Sequence, residues 1–153
     1  ILKSLKDIKK KYLVVDFNPD VVNDLQKMRI PIIYGDAYDI DLLRELPLEK
    51  TELVISTLPD PETNVLLIET VKAVNPNAII IVRAHSIEQA LDFYKKGATY
   101  VLTPHFLGGE YLASMIKDLK LNEKGYGDER EKHIKMLMER IKAGHDHPDV
   151  EKN

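Results

Sequence analysis

The sequence predicts an α/β domain, a Rossmann-like parallel sheet flanked by helices, with a helical extension at its C-terminal end. Three observations lead there. Short β-branched runs alternate with segments whose apolar residues recur at helical spacing. Each run gives way to polar or charged residues: Asp16, Asp36, Ser56 with Thr57, and Arg83. Residues suited to helix starts and stops stand between the runs.

Ile1, Leu5 and Ile8 fall at helical spacing, so Ile1 to Lys10 reads as the later part of a helix, and something is expected upstream of it. Tyr12-Leu13-Val14-Val15-Asp16 is a short strand of the doubly covered, parallel kind, ending on a carboxylate. Asn18 is suited to cap the next helix and Pro19 to occupy its first position. Val21, Val22, Leu25 and Met28 give that helix its apolar face. Ile30 to Tyr34 resumes a strand, with Pro31 where no partner needs its N–H. Gly35-Asp36-Ala37 ends it, and a short helix through Leu42, Leu43 and Leu46 breaks at Pro47.

Leu53 to Thr57 is the third strand, and Leu58-Pro59-Asp60-Pro61 is a stiff turn into a helix carrying Asn64 in its first turn. Ala78 to Arg83 is the most plainly buried strand, with a cation at its exit. Ser86 and Gln89 form a capping-box pair for a helix that stops at Gly97. Ala98 to Thr103 is the fifth strand, closed by Pro104.

The alternation then stops. His105 to Gly109 is expected to precede a helix bearing Leu112, Met115, Ile116 and Leu119. Gly125-Tyr126-Gly127 is expected to be a joint before a second helix bearing Ile134, Leu137, Met138 and Ile141. No later strand is there for these apolar stripes to cover, which favours docking of at least one on another chain. Residues 120–143 thus form an amphipathic extension and 144–153 a polar tail. Within that tail His145, Asp146 and His147 fall short of the roughly four fixed ligands of a structural metal site. His85 and His105 have no nucleophile pattern beside them, so neither a metal nor a catalytic residue is expected.

At 153 residues there is room for one core and a short appendage. A net charge of −3 with 31% charged residues gives no bulk basicity, which argues against nucleic-acid binding. With no cysteine, disulfides and thiolate chemistry are excluded, which fits a reducing compartment. The apolar runs are far below the ~20 residues of a membrane-crossing helix.

In open parallel sheets ligands sit beyond the carboxyl ends of the strands, where an acidic side chain can take the hydroxyls of a ribose. Asp16 stands at such a place, and its residue type alone fits a solvated loop carboxylate equally well. Asp36 has two readings, a turn cap or a partner for an adenine edge lying on Gly35 and Ala37. Ser56 and Thr57 either bond a ribose or phosphate or satisfy local backbone. Arg83 pairs either a phosphate or a carboxylate such as Asp16 or Asp36.

The stretches VVDFNPDVV, YGDAYDIDLL, ELVISTLPDPETNVLLIETVKAVNPNAIIIVRA and GATYVLTPHFLGGEYLA, in that order, resemble the RCK family, also called KTN or TrkA-N domains, which regulate potassium channels and cation transporters. The resemblance covers residues 1–119, and TPHFLGGEYLA is most like the cytoplasmic domain of Kef-type cation:proton antiporters. It implies NAD(H) or an adenine nucleotide such as AMP or ATP as ligand. Asp16 would take the ribose, with Phe17 and Asn18 beside it. Asp36 and Ala37 would meet the adenine, Ser56, Thr57 and Leu58 would form the opposite wall, and Asn64 and Arg83 would be nearby polar contacts. It further implies a non-catalytic, cytoplasmic regulatory domain at the inner face of the membrane. Its partners would be a membrane cation transporter or channel, in the same chain or a separate subunit, and a second copy held through the C-terminal helices. The family's first strand and its G-x-G-x-x-G loop are not in this sequence and are expected upstream of it. Two enzymes remain as alternatives, an NAD-dependent oxidoreductase half-domain and an S-adenosylmethionine-dependent methyltransferase. The first lacks a substrate domain, and the second lacks its closing hairpin.

Overall fold

A computed structural model describes residues 1–142. The order is α1 (Leu2–Asp7), β1 (Val14–Asp16), α2 (Pro19–Lys27), β2 (Ile32–Tyr34), α3 (Ile40–Glu45), a 3₁₀ turn (Leu48–Lys50), β3 (Leu53–Ile55), α4 (Pro61–Val74), β4 (Ile79–Arg83), α5 (Ile87–Lys96), β5 (Tyr100–Leu102), α6 (Pro104–Leu119) and α7 (Glu123–Lys142). The chain divides into two compact units, Ile1–His105 and a second beginning at Phe106.

Every strand pairing in the first unit is parallel, as the alternation of strand and helix requires. The expected parallel sheet is, however, in two pieces. β1 pairs with β2, aligning Asp16 with Tyr34, while β3, β4 and β5 form a separate ladder in that order. The core belongs to the second piece. Ile80 and Val82 of β4 are fully buried against Ile68 and Val71 of α4 and Phe93 of α5. All residues of β1 and of β3 are only partly buried.

Local chemistry explains the helix ends. Asn18 accepts from the Asp20 N–H at 2.9 Å with Pro19 in the first helical position. Ser86 Oγ accepts from the Gln89 N–H, while Gln89 Oε1 reaches back to the His85 N–H. Gly97 ends α5 in the left-handed region at φ 109°, where a side chain would also press on Lys72. The cap of α3 is Asp39.

Two expected joints are helical instead. Gly108 and Gly109 lie inside α6, which starts at Pro104 because proline suits a first turn. Gly125-Tyr126-Gly127 lies in the first turns of α7, and the break falls at Lys120, Leu121 and Asn122, with Lys120 at positive φ. In the second unit neither α6 nor α7 has a buried residue. Leu112, Ile116, Leu137 and Ile141 are all exposed. The His145–His147 tail lies outside the described residues.

Candidate functional site

Because all pairings are parallel, every strand exit stands on the carboxyl-end side of its ladder. Asp16 is the last residue of β1, and its Oδ1 accepts from the Asn18 N–H at 2.8 Å, while its second oxygen has no donor among the described residues. Phe17 and Asn18 beside it are exposed. The Gly35 N–H donates to the Asp16 carbonyl at 3.0 Å, which holds the loop carrying Asp36 and Ala37 next to Asp16. Asp36 is exposed and accepts from the Tyr38 N–H at 3.0 Å, so it caps its own turn with one oxygen. Gly35 has a local reason to be small, since a Cβ there would collide with the Leu42 side chain.

On the β3 side, Ser56 is buried and its hydroxyl accepts from the Leu58 N–H at 3.3 Å. It therefore serves local backbone, while Thr57 is exposed at the exit. Asn64 is fully buried, and its Nδ2 donates to the carbonyls of Leu58 at 3.0 Å, Asp60 at 2.9 Å and Arg83 at 3.4 Å. The amide is thus a staple joining the β3 exit, the start of α4 and the end of β4. Its Oδ1 is buried without a hydrogen-bond partner among the described residues, as is Nε of Arg83. Three carbonyls around the nitrogen fix the amide's orientation, because a flipped amide would point oxygen at oxygen. Among the described residues Arg83 pairs with neither Asp16 nor Asp36, so the expected ion pair is not formed.

Sequence reading missed a contact between loops. The Tyr38 phenol, after β2, and the carboxylate of Asp60, after β3, lie close enough for each to shift the other's titration. Their proximity pushes the phenol's pKa up and holds the Asp60 carboxyl below its ordinary range, helped by the Thr63 N–H and hydroxyl, which donate to Asp60 at 2.7 Å each. No periodicity announces a pairing between side chains so far apart in sequence. The rim is rich in carboxylates, which suits hydroxyl and amine donors better than bare phosphate. Among the described residues no cluster of His, Asp and Glu could hold a metal ion, and no helix is long and apolar enough to cross a membrane.

A parallel, Rossmann-like sheet with acidic and hydroxyl side chains at its strand exits defines the class of domain. The chain belongs to the TrkA-N domain family, which it matches over residues 1–104. It is 36% identical over 87 residues to the glutathione-regulated potassium-efflux system protein KefC of Salmonella paratyphi B. That alignment takes in 57% of this chain and only 14% of the relative's length. Among solved structures it is similar to the TrkA-N domain of the inner membrane protein ybaL from Escherichia coli, with TM-score 0.69, 19% identity, and 74% of this chain and 84% of that one covered. It is also similar to the Kef CTD of Shewanella denitrificans in AMP-bound form, with TM-score 0.54, 17% identity, and 85% and 92% covered.

Proposed function

We propose that this chain is a non-catalytic sensor of adenine nucleotides, NAD(H) or AMP/ATP, that regulates a membrane potassium or other cation transporter or channel from the cytoplasmic side. The observation that carries the proposal is the position of Asp16 beside the Asp36–Ala37 loop, with one Asp16 oxygen that has no donor among the described residues. That oxygen suits a ribose hydroxyl, and the Asp36 loop suits the adenine edge. Phe17 and Asn18 flank the ribose, and exposed Thr57 with Leu58 supplies the facing wall. Ser56, Asn64 and Arg83 shape that wall from behind, since the Ser56 hydroxyl and the Asn64 amide serve the protein's own backbone. Family membership and the AMP carried by the Kef relative support the ligand class, and the KefC relative supports potassium as the transported ion.

Regulation needs two arrangements that bind the ligand unequally. A dimer held through the exposed apolar stripes of α6 and α7 is the element proposed to have them. Calorimetric titration with AMP, ATP, NADH, S-adenosylmethionine and glutathione tests the ligand. Binding of AMP or NADH is expected, and binding of S-adenosylmethionine alone would replace the sensor with a methyltransferase. Light scattering tests the dimer, and a monomer with and without nucleotide would remove that part.

A further inference from the structure

We propose that the amino-terminal end of the β1–β2 ladder is a docking surface for an anionic lipid membrane, seated through Ile8, Lys9, Lys11, Met28 and Arg29. The surface lies at the end of the ladder opposite Asp16 and stands or falls apart from the nucleotide reading.

Two loops of like design enter this ladder, residues 8–13 between α1 and β1 and residues 28–31 between α2 and β2. β1 and β2 pair in register, Val14 with Ile32, and the Val14 N–H donates to the Pro31 carbonyl at 3.0 Å, so the loops arrive side by side. In each, a large apolar side chain left 60% exposed, Ile8 or Met28, is followed directly by a cation, Lys9 or Arg29. Lys10 and Lys11 come next, and Lys11 stands as far ahead of Val14 as Arg29 stands ahead of Ile32. All four cations are exposed, and neither loop contains an acidic residue. Of the neighbouring acids, Glu52 is taken by Lys10 at 2.7 Å and Asp24 by Lys27 at 2.9 Å, while Asp7 ends α1. Among the described residues Lys9, Lys11 and Arg29 form no ion pair.

Local structure does not call for these residue types. Lys9 and Arg29 sit in the left-handed region, at φ 54° and 56°. Each stands just past a helix, where the following N–H turns back, from Lys10 to the Leu5 carbonyl at 3.4 Å and from Ile30 to the Leu25 carbonyl at 2.9 Å. Glycine takes that conformation without steric cost, as Gly97 does after α5. The helix dipole favours a cation at a C-terminal end, which accounts for the charge but not for Ile8 and Met28 left in water beside it.

Exposed apolar tips among unpaired cations suit a surface with negative headgroups outside and hydrocarbon beneath. Lysine and arginine stems lie along the apolar layer while their heads stay with the phosphates. Free anions would satisfy the cations alone. The rest of the ladder agrees with this seating. Because the pairing is parallel, Asp16, Asp20, Asp36 and Asp39 follow the strands at the opposite end, away from negative lipid, and the candidate nucleotide rim is left facing solution.

Sedimentation of the 153-residue protein with vesicles tests the proposal. Phosphatidylcholine vesicles with about one-third phosphatidylglycerol should bind it at about 0.02 M salt and release most of it at about 0.5 M, and phosphatidylcholine alone should not bind it. The double variant Lys9→Gly/Arg29→Gly separates lipid binding from folding. Relieved of two left-handed side chains, it should melt at a higher temperature, yet bind charged vesicles about 25-fold more weakly, at about fivefold per cation. Ile8→Ser/Met28→Ser should weaken binding with folding unchanged. Equal binding to neutral vesicles, no binding to charged ones, or unchanged binding by either variant overturns the proposal. So does a double-glycine variant that melts lower, since the cations would then have a structural role. Displacement by free glycerol phosphate at constant ionic strength would mean a site for a single phosphate and overturns it too. A failed nucleotide titration leaves vesicle binding standing, and failure here leaves the nucleotide reading standing.

Discussion

Replacing Asn64 with alanine removes a donor placed against three carbonyls, and the loss can be worked from the distances. The amide nitrogen has two hydrogens, so the bonds at 2.9 Å and 3.0 Å are full ones and the contact at 3.4 Å is a weak third. At about 1 kcal/mol net each, with a further penalty of about 1 kcal/mol for carbonyls left dry and the space vacated, the change costs about 3 kcal/mol. Urea unfolding measures it directly. With a slope of about 2 kcal/mol/M, the midpoint should fall by about 1.5 M. Asn64→Asp should be worse at neutral pH, because it sets a buried carboxylate against carbonyl oxygens. It should recover as acid protonates that carboxylate, whose pKa in the fold is raised by burial and by those oxygens. A loss below about 1 kcal/mol for Asn64→Ala, or an aspartate variant no worse than alanine at pH 7, would refute the staple.

Three further outcomes follow from the same geometry. Asp16→Asn keeps the acceptor for the Asn18 N–H but removes the charge, so AMP affinity should fall about 10- to 100-fold by calorimetry with folding unchanged. Gly108→Ala and Gly109→Ala meet no atom within 4 Å inside α6, so each should raise thermal stability by about 0.5–1 kcal/mol unless a partner's backbone packs there, in which case dimer affinity falls. The proximity of Tyr38 and Asp60 should shape both ends of the stability–pH profile. Since the fold lowers the Asp60 pKa, that contribution is present above the ordinary carboxylate pKa and is lost as pH falls through the lowered value. Since the fold raises the Tyr38 pKa, its contribution is present below the ordinary phenol pKa and is lost as pH rises through the raised one. Tyr38→Phe should flatten both limbs in pH-dependent unfolding.

What the sequence made legible were the features written in neighbouring residues. Asn18-Pro19 and Ser86 with Gln89 mark helix starts, and Gly97 marks a stop, because capping chemistry acts within a turn. Strand order along the chain could be read from apolar runs, but which edges pair could not, since periodicity says how a strand is covered and not by what. The glycine pairs of α6 and α7 misled for a physical reason. Glycine's cost in a helix interior is about 1 kcal/mol, small enough for the flanking helix formers to override. At the rim, Asp16 and the Asp36 loop were legible because each ends a run. Burial of Ser56 and Asn64 was not, because it depends on β4 and α4 closing over the β3 exit.

The rim draws on both ladders, and this couples a rim ligand to the pairing of the strands. Asp16 and the Asp36 loop belong to the β1–β2 ladder, while Thr57, Leu58 and Asp60 follow β3 in the other. Besides the approach of Tyr38 to Asp60, a nucleotide touching both sides would be a further tie across the rim. A ligand that holds both ladders in one arrangement makes their parting rarer, and the coupling is reciprocal. Saturating AMP should therefore slow exchange of the Val14, Gly35 and Ser56 amides, each bonded to the neighbouring strand, although none of these need touch it. A coupling of 1–3 kcal/mol, at the usual scale, corresponds to roughly a 5- to 150-fold change in opening. Tyr38→Phe, which removes the hydroxyl near Asp60, should enlarge that response. Equal exchange with and without AMP, at concentrations where calorimetry shows the site filled, would mean that the nucleotide rests on one ladder alone and that the facing wall belongs to something else.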